Sequence, residues 1–162
     1  VLVYESEILE DDVTICGSVF ANLSVATGGT DSDWIVKLID VFPEDTPAND
    51  PNPRGVKMGG YQMMVRGEVL RGKFRNSYED PEPFIPDQIT RIRFDLRDVN
   101  HCFLKGHKIM VQIQSSWFPL VDCNPQIFID IFKAAEEDFQ PAHQRVYYSK
   151  DYPSYIEVNL KQ

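Results

Sequence analysis

Apolar residues recur at every second position along much of this chain, and that period confines it to strands. Val13, Ile15 and Val19 share one face, Leu23 and Val25 continue the parity, and Thr14, Ser18, Asn22 and Ser24 take the other face. This is the alternation of a half-buried antiparallel strand. Ile92, Phe94 and Leu96 alternate with Arg91, Arg93, Asp95 and Arg97 in the same way. So do Ile109, Val111 and Ile113 with Gln112 and Gln114, and Ile156, Val158 and Leu160 with Glu157, Asn159 and Lys161. Residues 34–42 (WIVKLIDVF) are apolar on both faces apart from Lys37 and Asp40, which predicts a central strand covered on both sides. Further strands are predicted at 1–5, 61–74 and 144–149. Roughly eight strands separated by turn signals predict an all-β sandwich or barrel.

Two stretches break the period. Residues 43–55 (PEDTPANDPNPRG) carry four prolines and no large apolar side chain, and read as a long Pro-rich loop. A domain linker is the alternative, but the strands on either side would then lack partners. In residues 125–139, Phe128, Ile131, Phe132, Ala135 and Phe139 fall on one helical face, which predicts a short helix or helical turns inserted between strands.

With 162 residues, the chain should expose about 8,200 Å² folded against roughly 27,000 Å² unfolded, enough burial for a core without disulfide or metal. Sixteen basic residues against twenty-five acidic ones give a net charge of −9, which argues against nucleic acid or an anionic membrane as main partner. The one basic concentration, Arg66, Arg71, Lys73 and Arg75, reads as the solvated side of a strand. No apolar run reaches the ~18 residues of a membrane span. Three cysteines, Cys16, Cys102 and Cys123, exclude a disulfide-dense scaffold, and Cys16 reads as a small buried thiol. The start at Val1, inside a strand-like run, reads as a cut from a longer polypeptide.

Catalytic patterns are missing. There is no G-x-S-x-G elbow, and Gly17-Ser18 lies inside a strand pattern. His101 and Cys102 are neighbours, so on a strand they point to opposite faces, against Cys-His catalysis. The spacing of His101, Cys102, His107 and Cys123 fits no zinc pattern. Asp31-Ser32-Asp33 lacks the rest of a calcium loop and reads as a turn entering the next strand. Gly59-Gly60 reads as a turn or bulge. No catalytic residue, metal site or cofactor site is expected. Two classes remain: a noncatalytic module of a larger enzyme, and a carbohydrate-binding sandwich with Trp117-Phe118-Pro119 as its platform.

Particular strings narrow this further. They are Tyr4–Glu7, Thr30–Trp34 running into Val36–Pro43, Arg71–Arg75, Asn100–Phe103, Gly106–Ile109, Gln114–Pro119, Asp122–Pro125, Gln144–Tyr147 and Ser154–Glu157. In this order they resemble the C-terminal domain of the X-prolyl dipeptidyl-peptidase and cocaine-esterase group of serine hydrolases. Met58–Gln62 with Ser116–Phe118 is most similar to the α-amino-acid ester hydrolase and glutaryl cephalosporin acylase branch. The resemblance implies an antiparallel jelly-roll sandwich of the galactose-binding-like type, formed by residues 1–162 as a single C-terminal domain. It also implies that the Ser-His-Asp triad lies in an upstream α/β-hydrolase domain, which would be this domain's partner, and that the parent cleaves esters or amides. It leaves open a homo-oligomer of the parent and a periplasmic or secreted bacterial location. The expected docking surface is the segment bearing Trp117, Phe118, Leu120 and Phe128, with Asn124 fixing its loop through backbone hydrogen bonds. The other reading is that these aromatics close the domain's own core.

Overall fold

The computed structural model describes residues 1–161. Eight strands form: β1 (Leu2–Glu5), β2 (Val13–Thr27), β3 (Asp33–Val41), β4 (Gln62–Arg71), β5 (Thr90–Phe103), β6 (Lys108–Gln114), β7 (Gln144–Tyr147) and β8 (Tyr155–Glu157). They build two antiparallel sheets. One has the order β1-β6-β3-β4; in the other, β5 lies on one side of β2, and β7 and β8 pair in succession with its opposite side. The chain changes sheet at every connection except β3–β4 and β7–β8. That connectivity makes the sandwich a jelly roll, as the resemblance implied.

The core is the space between the sheets. The odd-numbered face of β2 (Val19, Ala21, Leu23, Val25) meets Trp34, Val36 and Leu38 of β3, all buried. Strand β3 is flanked by β4 and β6, and its other face buries Ile35 and Ile39 as well, as its two-sided apolar pattern predicts. The Pro-rich segment is a loop joining two paired strands of one sheet, which rules out the linker.

Strand β5 runs to Phe103, well beyond the alternation that ends near Arg97. Ser18 faces Asp98 while Phe20 faces Asp95, so two steps on β2 match three on β5. The extra residue is a β-bulge at Arg97, whose φ is +74° and whose N–H donates to Asp95 Oδ1 at 2.7 Å. Across it the buried parity switches from Ile92 and Leu96 to Val99 and Phe103. A left-handed non-glycine residue is strained. Arg97→Gly is therefore expected to leave stability unchanged or raise it by up to about 1 kcal/mol, and Arg97→Val to lower it by about 1–2 kcal/mol, read by thermal unfolding. Equal melting temperatures for the two variants would show that backbone conformation does not set this bulge.

Two expectations need correction, and a third holds in part. Cys16 is exposed, because it shares the outward parity of Thr14 and Ser18. Helical turns do form in residues 125–139, as two separate 3₁₀ turns, Ile131–Lys133 and Glu136–Asp138, but the single helical face does not. Asp130 accepts from the Phe132 N–H and Asp138 from the Ala135 N–H, so each turn is closed locally and no continuous apolar face forms. Phe132 is 89 % exposed. Nor is the basic stretch a solvated strand face: β4 ends at Arg71, a 3₁₀ turn follows at Gly72–Phe74, and Lys73 is buried. Arg75 lies on the Phe84 ring and donates to the carbonyls of Gly72, Glu82 and Pro83.

Candidate functional site

The segment between β6 and β7 is long, and its base is held by a buried polar network. Asp33, at the start of β3 and 2 % exposed, accepts two hydrogen bonds from the Arg71 guanidinium, each 3.1 Å, and one from Asn124 Nδ2 at 2.8 Å. Arg71 also donates to the Asp122 carbonyl. Asn124 is buried, as a loop anchor must be, and its Oδ1 accepts from the Gln126 N–H at 2.8 Å. The Gln126 carbonyl in turn accepts from the N–H groups of Thr30 and Asp31. This contact requires Gly29, since a Cβ there would sit 2.1 Å from the Gln126 carbonyl oxygen. Thr30 Oγ1 accepts from the Phe128 N–H, and Lys73 Nζ donates to the Ile129 carbonyl at 2.7 Å. The bend before β3 lies at residues 28–30 rather than at Asp31-Ser32-Asp33, which instead leads into β3 and anchors a distant loop.

Charge follows this packing. Burial pushes the Asp31 carboxyl above the ordinary carboxylate range, partly offset by Asn124, the Ser32 N–H and Lys73. Burial alone would lower Arg71, but the Asp33 hydrogen bond and the charges of Asp33, Asp31 and Asp122 outweigh it and raise it.

On this base the loop carries its apolar side chains outward. Phe118 is 68 % and Leu120 69 % exposed, and Phe128, Phe132 and Phe139 are exposed too. Leu120 borders a shallow depression with Val69, Phe74, Tyr78 and Val121. Trp117 differs: it is half-buried, lies against Gly67, and has the Lys37 ammonium 4.3 Å from its ring centre. The sequence-predicted residues therefore divide, with Asn124 and Trp117 holding the loop and Phe118, Leu120 and Phe128 left facing outward. A sugar platform needs an open aromatic face, and Trp117 does not offer one on its Lys37 side.

A second polar cluster was not foreseen. Asp40 continues the inward parity of Trp34, Val36 and Leu38 and is 2 % exposed. His101 Nε2 lies 2.9 Å from its Oδ2, and His107 Nδ1 lies 2.7 Å from its Oδ1. The only signal in the sequence was an acidic residue inside an otherwise apolar strand. Cys102 lies apart, its Sγ on the Phe103 carbonyl. Among the described residues no three His, Cys, Asp or Glu side chains are placed to hold a metal ion.

Fold and networks together define an antiparallel jelly-roll domain, held by buried polar clusters and carrying an apolar loop. Comparison with known proteins assigns it. Residues 1–157 match the model of the X-Pro dipeptidyl-peptidase C-terminal non-catalytic domain, and the chain belongs to that family. It is 30 % identical over 156 residues to the cocaine esterase of Rhodococcus sp. (strain MB1 Bresler), covering 96 % of this chain and 25 % of that protein. Among solved structures it is similar to an aminopeptidase from a marine sediment archaeon, Thaumarchaeota archaeon (TM-score 0.92, 42 % identity), covering 99 % of this chain and 26 % of that one. It is equally similar to an α-amino acid ester hydrolase (TM-score 0.90, 42 % identity), covering 99 % and 25 %. The chain thus spans about a quarter of the length of these relatives. None of the comparisons supports the carbohydrate-binding alternative.

Proposed function

We propose that this domain buttresses the α/β-hydrolase domain of a larger serine hydrolase, docking through the outward apolar face of the β6–β7 loop and walling part of the substrate pocket. The parent would carry its Ser-His-Asp triad in that hydrolase domain and cleave ester or amide bonds, the chemistry named in its relatives. The observation that carries the reading is the pairing of a rigid base with an exposed apolar rim. Evolved surfaces rarely fix a long loop so firmly merely to present Phe118, Leu120 and Phe128 to water. The total exposed surface, 10232 Å², also exceeds the size expectation by roughly 2,000 Å². Inter-domain contacts within one chain typically cover ~600–1,500 Å².

The double variant Phe118→Asp/Leu120→Asp tests this in the full-length parent. Both side chains are about two-thirds exposed, so the domain's own stability should change by less than about 0.5 kcal/mol. Docking should fail. The expected result is at least a tenfold fall in kcat/KM toward aminoacyl esters or aryl esters, with the two domains unfolding in separate transitions. Full activity with a single, unshifted transition would refute the docking face.

A further inference from the structure

The sandwich is open along one side. The edge of one sheet there is β1; the facing edge of the other is the short pair β7 and β8, whose outer sides no strand of the described residues covers. Between them lies an apolar groove of about 380 Å³, bordered by Tyr4 and Ile113 from one sheet, by Val146, Tyr155 and Ile156 from the other, and by Tyr148 just after β7. A smaller cavity shares Ile113 and Val146 with it and is lined also by Trp34 and Gln144.

We propose that an extended segment of the hydrolase polypeptide outside these 162 residues lies in this groove as an added strand. Three observations select that occupant. Alternation of the chain between sheets leaves the free β7–β8 edge as the position for one more strand opposite β1, and an exposed edge is a ready template for strand addition. The groove is lined almost wholly by apolar and aromatic side chains, with Tyr4, Tyr148 and Tyr155 exposed at its mouth, which suits an extended peptide that inserts one large apolar side chain. About three quarters of each relative's length lies outside the region matched, so such a segment is available in the same polypeptide.

The inference rests on the domain being part of a larger hydrolase, but uses a surface distinct from the β6–β7 loop. The test is photocrosslinking in the full-length parent, with p-benzoylphenylalanine replacing Tyr155 in one variant and Phe118 in another. From Tyr155, the expected product is an intrachain crosslink to a peptide outside residues 1–162, in at least tenfold higher yield than from the same label at Ile85, which is 63 % exposed on another face. Crosslinks between two copies, crosslinks only within residues 1–162, or none above the Ile85 level would each overturn it. The Phe118 label reports the loop docking separately, so failure at one position is not read as failure at the other.

Discussion

Replacing Asp33 with alanine is expected to lower the unfolding free energy by about 3–5 kcal/mol, the cost of removing one partner from a buried ion pair. The carboxylate is 2 % exposed, and its loss strands an Arg71 guanidinium whose side chain is 19 % exposed. Asn124 loses its acceptor in the same step. The pair is mostly buried, which is why the loss exceeds that of a surface pair, worth ~0–1 kcal/mol. Asn124→Ala removes a hydrogen bond to the Asp33 carboxylate and one accepted from the Gln126 N–H but leaves no charge without its partner, and should cost about 1–3 kcal/mol. The two variants should also differ from a simple core defect. Because Arg71 and Asn124 hold Asp122 and Gln126, the loop that presents Leu120 and Phe128 should lose hydrogen-exchange protection before the sheets do. Urea unfolding reads the first effect and exchange at residues 122–129 the second. A loss below about 1 kcal/mol for Asp33→Ala would show that the pair is not what holds the loop.

The core was legible because it is made by period two, a property of each strand read alone. Val19, Leu23, Val36 and Ile113 sit inside for the reason their spacing predicts. What escaped reading were departures from that period and contacts between distant segments. Strand β5 looked six residues too short because the bulge at Arg97 shifts its parity, so Val99 and Phe103 no longer match Ile92 and Leu96. Arg71 and Lys73 looked solvated because their partners lie far along the chain: Asp33 is 38 residues from Arg71 and Ile129 is 56 from Lys73. No local pattern encodes such a pairing. Yet the strings that carried the family resemblance coincide with these networks. Thr30–Trp34, Arg71–Arg75 and Asp122–Pro125 supply the anchor of the loop, and Asn100–Phe103 with Gly106–Ile109 supply both histidines around Asp40. The outward position of Phe118 and Leu120 followed from neither source, since an aromatic cluster in a loop reads equally well as the plug of its own core.

Asp40 offers the sharper test of how a polar group closes the end of this sandwich. A carboxylate can accept from both rings at once, from His101 at Nε2 and from His107 at Nδ1. The three side chains span both sheets and the β5–β6 turn, with His101 edge-on to Phe103 and His107 tilted against Phe42. Asp40→Ala removes both acceptors at once from a site that water reaches poorly, and should cost about 2–4 kcal/mol. Asp40→Asn is different in kind. Its carbonyl still accepts from one ring, and its amide can donate to the other if that imidazole adopts the opposite neutral tautomer. Both hydrogen bonds survive with one donor reversed, so the expected cost is only about 1 kcal/mol. The tautomer change is directly visible in the ¹⁵N shifts of the two imidazoles, where exactly one ring should switch between wild type and the Asn variant. If Asn proves as costly as Ala, or neither ring switches, then the negative charge rather than the count of hydrogen bonds holds the two sheets together at this end.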